Sequence, residues 1–283
     1  MRLLVTGSKG MLGRVLVPCL ERHGHEVHGV DIDTCDITSY KAVTSAIEKH
    51  RPELVLHGAA YTAVDQAESD QATAFRVNGY GTENLAVACA KHDVPMLYIS
   101  TDYVFDGEAD HPYQPLDQAR PMSVYGKSKL AGEVAVRNHL SSFYIVRTSW
   151  LYGPHGKNFV ETILQLAKER KQLKVVADQT GSPTSTATLS ECIAELIKTG
   201  RYGTYHATDG GVTTWCDFAR EITKGIDVEV IPCETKDFPR PAPRPRYSVL
   251  DKTSLQETIG REVVPWQKAL EDYLKQRVQL QPA

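Results

Sequence analysis

Tyr125 and Lys129 stand four residues apart in V-Y-G-K-S-K, at the start of a segment with helical periodicity, so both side chains project from one helix face. That pairing suits reduction of a ketone, which needs a hydride on carbon and a proton on oxygen. A free phenol titrates at about 10, too weak an acid for neutral pH, and a neighbouring ammonium favours the phenolate and lowers that value. Lys129 is therefore expected to lower the pKa of Tyr125 and, with its remaining donors, to hold a nicotinamide ribose. Tyr and Lys also meet at this spacing on ordinary helices, with the ring in the core and the ammonium in water. The pair gains meaning only beside a cofactor site.

Such a site is legible near the N-terminus. Gly7, Gly10 and Gly13 form G-x-x-G-x-x-G directly after the first strand-like run and open the first helix. There the missing side chains let backbone approach a pyrophosphate at a helix N-terminus. Asp31 ends the second strand, 18 residues after Gly13, placed to accept a hydrogen bond from an adenosine ribose hydroxyl; a solvated strand-end acid is the plainer alternative. Lys9 inside the turn and Arg14 just after it could neutralise a 2′-phosphate, so NADH and NADPH both stay open as cofactors. Asp36 and Ile37 follow in a turn that could frame the adenine. Thr101 closes the fourth strand in S-T-D-Y-V-F-D-G, at the carboxyl edge where sheets of this kind bind ligands, and its hydroxyl could hydrogen-bond the substrate carbonyl. A strand-end Thr is also a common β-former or cap. Asn78, in a helical segment, either holds a water for proton relay or kinks its helix.

The elements that must position these groups follow from periodicity. Through about residue 150, short β-branched runs alternate with longer helix-period segments, the pattern of a parallel sheet covered on both faces. Strands are expected at Leu3–Thr6, Glu26–Asp31, Leu54–His57, Met96–Ser100 and Tyr144–Thr148. Leu12, Val15, Leu16, Cys19 and Leu20 mark one apolar helix stripe, and further helices are expected over Tyr40–His50, Ala72–His92 and Ser128–Leu140. The fold class is thus α/β: a Rossmann-type doubly wound parallel sheet over residues 1–150, with a smaller C-terminal α/β substrate lobe over 151–283 and a chain free to cross between them. In the second part, helices near Asn158–Arg170 and Leu189–Lys198 and a strand at Lys174–Val176 stand out. Phe238 to Tyr247, FPRPAPRPRY, is too proline-rich for a helix or central strand. Its Arg240, Arg244 and Arg246 are expected to point outward from a stiff loop, where one could pair with a substrate diphosphate.

Composition bounds the partners. A chain of 283 residues, 41% hydrophobic, buries a sizeable core without metal or disulfide staples. A formal charge of -3 with a pI near 6.4 leaves no basic field for nucleic acid. Six cysteines without a C-x-x-C pair argue against zinc and disulfides and for a reducing compartment. With no signal-type segment and no apolar run of about 18 residues, the expected place is the cytoplasm, away from membranes.

One set of motifs goes further: G-S-K-G-M-L-G (7–13), H-G-A-A-Y-T-A-V-D-Q-A-E (57–68), S-T-D-Y-V-F-D-G (100–107), V-Y-G-K-S-K-L-A-G-E (124–133), R-T-S-W-L-Y-G (147–153), D-Q-T-G-S-P-T (178–184) and R-P-R-Y-S-V-L-D (244–251). Together they resemble the dTDP-4-dehydrorhamnose reductases, extended short-chain dehydrogenases, across nearly the whole chain. The resemblance implies NAD(P)H-dependent reduction at C4 of dTDP-4-dehydro-L-rhamnose. It implies that Gly10, Met11 and Leu12 meet the pyrophosphate, Asp36 and Ile37 the adenine side, and Ala60, Tyr61 and Thr62 the rest of the cofactor. Thr101 and Asp102 would touch the sugar, Tyr125 would transfer the proton, Lys129 would orient it, and Trp150 would pack on the sugar ring. Some family members join two subunits through magnesium held by acids on the first helix and in the second lobe. Here the first-helix stretch reads Arg14, Val15, Leu16, and Glu191 alone makes a poor magnesium site, so no metal is expected. Monomer and homodimer both stay open. Two alternatives stand beside this reading. One is another enzyme on the same scaffold, a nucleotide-sugar dehydratase or epimerase; Tyr103 follows Thr101-Asp102 where a dehydratase of this class resembles T-D-E, which disfavours elimination. A non-catalytic regulatory subunit of the methionine adenosyltransferase type shares the fold.

Overall fold

The computed structural model describes residues 1–280. Its first half reads β1 (Arg2–Thr6), α1 (Gly13–Arg22), β2 (Glu26–Val30), α2 (Tyr40–His50), β3 (Leu54–His57), α3 (Val64–Ala67), α4 (Gln71–Phe75), a π-helical stretch Arg76–Gly81, α5 (Thr82–Lys91), β4 (Met96–Thr101), α6 (Val124–His139) and β5 (Phe143–Thr148). The five expected strands are present, each end within one residue of its expected place. The segment expected as one helix over Ala72–His92 is instead broken in the middle. Gly79 and Gly81 lie in the π-helical stretch, and a Cβ at Gly81 would fall 2.9 Å from the Ile37 side chain, so the missing side chains let the helix deform against its neighbour.

The second half adds β6 (Leu151–Tyr152), α7 (Phe159–Glu169), β7 (Gln172–Val176), β8 (Thr180–Gly181), β9 (Thr184–Ser185), α8 (Thr186–Thr199), β10 (Gly203–His206), β11 (Thr213–Thr214), α9 (Trp215–Ile222), β12 (Glu229–Cys233), α10 (Thr253–Ile259) and α11 (Trp266–Leu280). A six-stranded sheet runs β10-β5-β4-β3-β1-β2, every pair parallel. Residues 186–206 thus return from the second half to the first lobe: α8 packs on α1, and β10 extends the sheet beside β5. One sheet face carries Leu16, Cys19 and Leu20 of α1 with Leu189, Ile193 and Leu196 of α8; the other carries Val43 and Ile47 of α2, Leu85 of α5 and Val136 of α6. Burial on both faces is why the inner strands β1, β3, β4 and β5 are nearly continuous apolar runs, while the edge strands β2 and β10 are not. The remaining segments form the smaller lobe around Tyr152, Ile163, Leu173, Phe218, Trp266 and Leu270. The Pro-rich segment is an extended strap. Among the described residues, no helix is long and apolar enough to cross a membrane.

Candidate active site

The carboxyl ends of β1 to β5 open into a cleft of about 870 Å³ between the lobes. Gly7, Gly10, Met11, Leu12, Gly13, Asp31, Asp36, Ile37, Ala60, Thr62, Thr101, Asp102, Tyr125, Lys129 and Trp150 all line it. Tyr61 does not; its backbone is clamped beneath the wall and its hydroxyl is buried without a partner.

Crowding explains two of the three glycines in the turn. Gly7 holds a φ of +71°, and a Cβ on it would lie 2.7 Å from the Ala59 nitrogen. A Cβ on Gly13 would lie 2.2 Å from the Gly7 carbonyl oxygen. At Gly10 the nearest atom is that same oxygen at 3.2 Å, so the fold's own demand is weaker there and the open side faces the cleft. No side chain caps α1, and while the Arg14, Val15 and Leu16 N–H groups turn back to the Gly10 and Leu12 carbonyls, those of Met11, Leu12 and Gly13 find no acceptor among the described residues and are left for an anion. A dinucleotide pyrophosphate fits this donor set.

At the end of β2, Asp31 accepts the Lys9 and Ile32 backbone N–H groups, each at 2.8 Å, so its carboxylate is held at the rim. The Lys9 ammonium pairs with Asp33, and Arg14 Nε donates to the Lys9 carbonyl at 2.9 Å. Both cations proposed for a 2′-phosphate therefore have partners within the turn. Asp36 accepts the N–H and hydroxyl of Thr38, which closes the turn that presents Ile37.

Below the nicotinamide end, Asn78 donates to the Tyr61 carbonyl (3.0 Å) and to Ser128 Oγ (3.0 Å) and accepts the Tyr61 N–H (2.8 Å). These bonds make Asn78 a clamp between the cofactor wall and α6 rather than a holder of a relay water. Ser123 caps α6 by accepting the Gly126 N–H at 3.1 Å, and this presents Tyr125 and Lys129 one turn apart. Lys129 is 3% exposed; it donates to the Ile99 carbonyl at 2.7 Å and lies 4.1 Å over the Tyr98 ring. Burial pulls its pKa down to about 7, with Glu133 opposing. That carboxylate is itself fully buried, held by Ser100 at 2.6 Å and by two Arg147 nitrogens at 2.8 and 2.7 Å.

Tyr125 departs from expectation. Its pKa is raised rather than lowered, because burial dominates, the Asp102 charge adds to it, and only the Thr101 hydroxyl opposes. The lowering expected from Lys129 is not realised; its ammonium donates to the Ile99 carbonyl at 2.7 Å. A phenol held protonated is nonetheless the form required to give a proton. Thr101 donates to Asp102 Oδ1 at 3.0 Å and accepts the Tyr103 N–H at 3.2 Å. Asp102 is 1% exposed, and burial lifts its carboxyl to about 6 against the Ser248 and Thr101 hydroxyls.

This geometry has known counterparts. The family described as RmlD substrate binding domain matches residues 1–279. The dTDP-4-dehydrorhamnose reductase of Streptomyces griseus is 44% identical over 278 residues, 95% of this chain and 91% of that protein. The crystal structure of a dTDP-4-dehydrorhamnose reductase from Clostridium acetobutylicum superposes with a TM-score of 0.95 at 43% identity, covering 99% of this chain and 100% of that one. That of Bacillus anthracis, in complex with NADP, gives a TM-score of 0.94 at 39% identity, covering 97% and 99%. The chain belongs to the dTDP-4-dehydrorhamnose reductase family. Both the oxidoreductase expectation and the α/β architecture are borne out.

In this reductase the strap arginines are not all turned outward. Arg244 donates to Asp65 Oδ1 at 2.5 Å and to the Ala242 carbonyl at 2.6 Å, and Arg240 lies 4.7 Å over the Phe238 ring. Asp65 of α3 captures the strap because it is the acid that the extended segment crosses. Glu191 accepts from Cys19 (3.3 Å) and Arg22 (3.3 Å) and bonds His23 (2.7 Å). Cys19, His23 and Glu191 are close enough to share a metal, with ligand atoms within 4.8 Å of one another. Yet Lys198 lies 2.8 Å from His23 Nδ1 and can only donate, which leaves Nε2 to carry its proton toward Glu191. The three form a hydrogen-bonded cluster.

Sequence reasoning missed several cleft residues: Ile32, Tyr103, Thr148, Ser149 and Lys157. Thr148 had a usable signal, since it ends β5 in register with Thr101 at the end of β4. Its buried hydroxyl has no hydrogen-bond partner among the described residues. Tyr103 meets the Tyr125 ring edge-on at 5.6 Å. Lys157 sits in an irregular turn, and no spacing could have announced it.

Proposed function

We propose that this protein reduces the C4 keto group of dTDP-4-dehydro-L-rhamnose to give dTDP-L-rhamnose, using NADPH or NADH. The observation that carries this is the convergence of Thr101, Tyr125 and Lys129 on the cleft that also holds the uncapped N-terminus of α1. When bound there, the reduced nicotinamide supplies the hydride to C4. Tyr125, protonated at neutral pH, gives its proton to the sugar oxygen as charge develops on it, and solvent restores that proton. The Thr101 hydroxyl steadies the same oxygen. Lys129, buried against Ile99 and Tyr98, holds the nicotinamide ribose and stands one turn along α6 from Tyr125, which it helps to orient. Gly10, Met11 and Leu12 carry the pyrophosphate, and Asp31 the adenosine ribose. Asp102 and Trp150 flank the sugar. Six cysteines without paired spacing support a cytoplasmic setting.

The test is an assay of dTDP-, UDP- and GDP-linked 4-keto-sugars with each nicotinamide cofactor. The proposal expects cofactor oxidation with the dTDP-linked substrate at a kcat/KM well above the other two. Purified protein that oxidises neither cofactor with any of them would overturn it.

A further inference from the structure

Trp150 is the one non-glycine residue lining the cleft, among the described residues, whose backbone is left-handed, with φ +49°. A bulky side chain in that region is strained and persists only where its surroundings over-determine it. Two side-chain features do so here. The Trp150 indole stacks on Trp215 with ring centroids 3.6 Å apart and planes 10° from parallel. Gly181 leaves the room the indole needs: a Cβ there would lie 2.7 Å from Trp150 Cε2 and Cζ2. The two supports are built together, because β8 pairs antiparallel with β11, Gly181 opposite Thr213, and Trp215 follows as the first residue of α9. Phe159 packs on Trp215 at 4.5 Å and on Phe218 at 5.8 Å, so the ring ladder is rooted in the core of the smaller lobe.

We propose that Trp215 is a positioning residue for the sugar. It does not line the cleft; it holds the Trp150 indole as a rigid apolar wall, with Gly181 as the clearance that makes the pose reachable. An aromatic packed for stability alone has no need of a left-handed backbone at a cleft. The wall stands at the sugar end rather than the adenine end, because Trp150 follows Thr148 and Ser149 off β5, and Thr148 is the register partner of Thr101. A pyranose presents C–H groups that pack on an aromatic ring, whereas its hydroxyls are read by the threonines and Asp102. This inference rests on the keto-sugar reading above.

The experiment compares Trp215→Leu, Trp215→Phe and Gly181→Ala with wild type. It measures keto-sugar KM and kcat, cofactor Kd, and calorimetric Kd for dTDP and dTDP-L-rhamnose. The stacked indoles should also give an exciton couplet in circular dichroism, which Trp215→Leu and Trp215→Phe abolish. Trp215→Leu is expected to raise KM about tenfold, equal to ~1.4 kcal/mol, with a smaller change in kcat and an unchanged cofactor Kd. It should weaken dTDP-L-rhamnose while leaving dTDP alone. Phe keeps a ring in the stack and should restore most of the affinity. Gly181→Ala displaces the indole from the other side and should raise KM without touching Trp215. Wild-type KM in both Trp215→Leu and Gly181→Ala, or equal loss of dTDP and dTDP-L-rhamnose, overturns the role of Trp215. A wild-type protein that binds dTDP-L-rhamnose no better than dTDP overturns the keto-sugar reading and this inference with it.

Discussion

Tyr125→Phe removes one hydroxyl and leaves the ring packed against Tyr103. Turnover should fall by about 10²- to 10⁴-fold, the usual worth of a positioned acid, while calorimetric cofactor Kd stays near wild type. Lys129→Met should lower kcat and raise cofactor Kd together. The same variant carries a stability signature. Burial depresses the Lys129 pKa to about 7, so below that pH the folded protein carries a charge it holds poorly. The penalty fades as pH rises toward the unfolded value of about 10.4. Lys129→Met should therefore raise Tm most at pH 6 and least at pH 10, and a Tm difference that grew with pH would contradict the buried ammonium. At the other end of the cleft, Asp31 favours NADH while Lys9 is tied to Asp33. Wild type should use both cofactors within about tenfold, ~1.4 kcal/mol. Asp33→Ala, which frees Lys9 for a 2′-phosphate, should move kcat/KM toward NADPH.

Two devices at the scale of elements hold the pieces of the cleft together. The π-helical stretch between α4 and α5 turns Asn78 onto the Tyr61 backbone and Ser128. Asn78→Ala leaves a buried N–H and C=O without partners, a loss of about 1–3 kcal/mol. It should raise cofactor KM as well as lower Tm, because the Ala60–Thr62 wall loses its clamp. The strap from Phe238 to Tyr247 is held by Asp65, which pairs with Arg244, lies 4.0 Å from Arg240 and accepts the Ala242 N–H, and by the Thr180 N–H on the Arg246 carbonyl. A sequence of alternating prolines and arginines reads as a solvated, outward-facing loop, and the inward turn of Arg244 was invisible because its partner lies 179 residues away in α3. The strand ends were legible for the opposite reason. Thr101 sits where a local apolar run stops, and such a stop is written in neighbouring residues.

For the molecule as a whole, Asp209 is another buried titrating group that bears on stability. Asp209 is 0% exposed; it accepts the Ser185 N–H at 2.9 Å and lies 3.4 Å from the Tyr152 hydroxyl. Burial raises its carboxyl to about 7, above the unfolded value of about 3.9. Stability from this group is full below the unfolded value and is lost as pH rises through 7. Asp209→Asn should thus raise Tm more at pH 8 than at pH 5, and least near pH 4, measured by calorimetry.

By itself, the sequence determined whatever depends on neighbours in the chain. The G-x-x-G-x-x-G turn, five strands of the sheet, the one-turn spacing of Tyr125 and Lys129 and the family motifs all follow from local periodicity, glycine sterics and side-chain type. Only the tertiary structure decided what depends on which distant groups meet. It brought α8 and β10 back to the first lobe, buried Tyr125 beside Asp102 so that its pKa is raised rather than lowered, and set Trp150 against Trp215 across 65 residues. Burial and long-range contact set those energies, and neither has a period that a one-dimensional pattern can display.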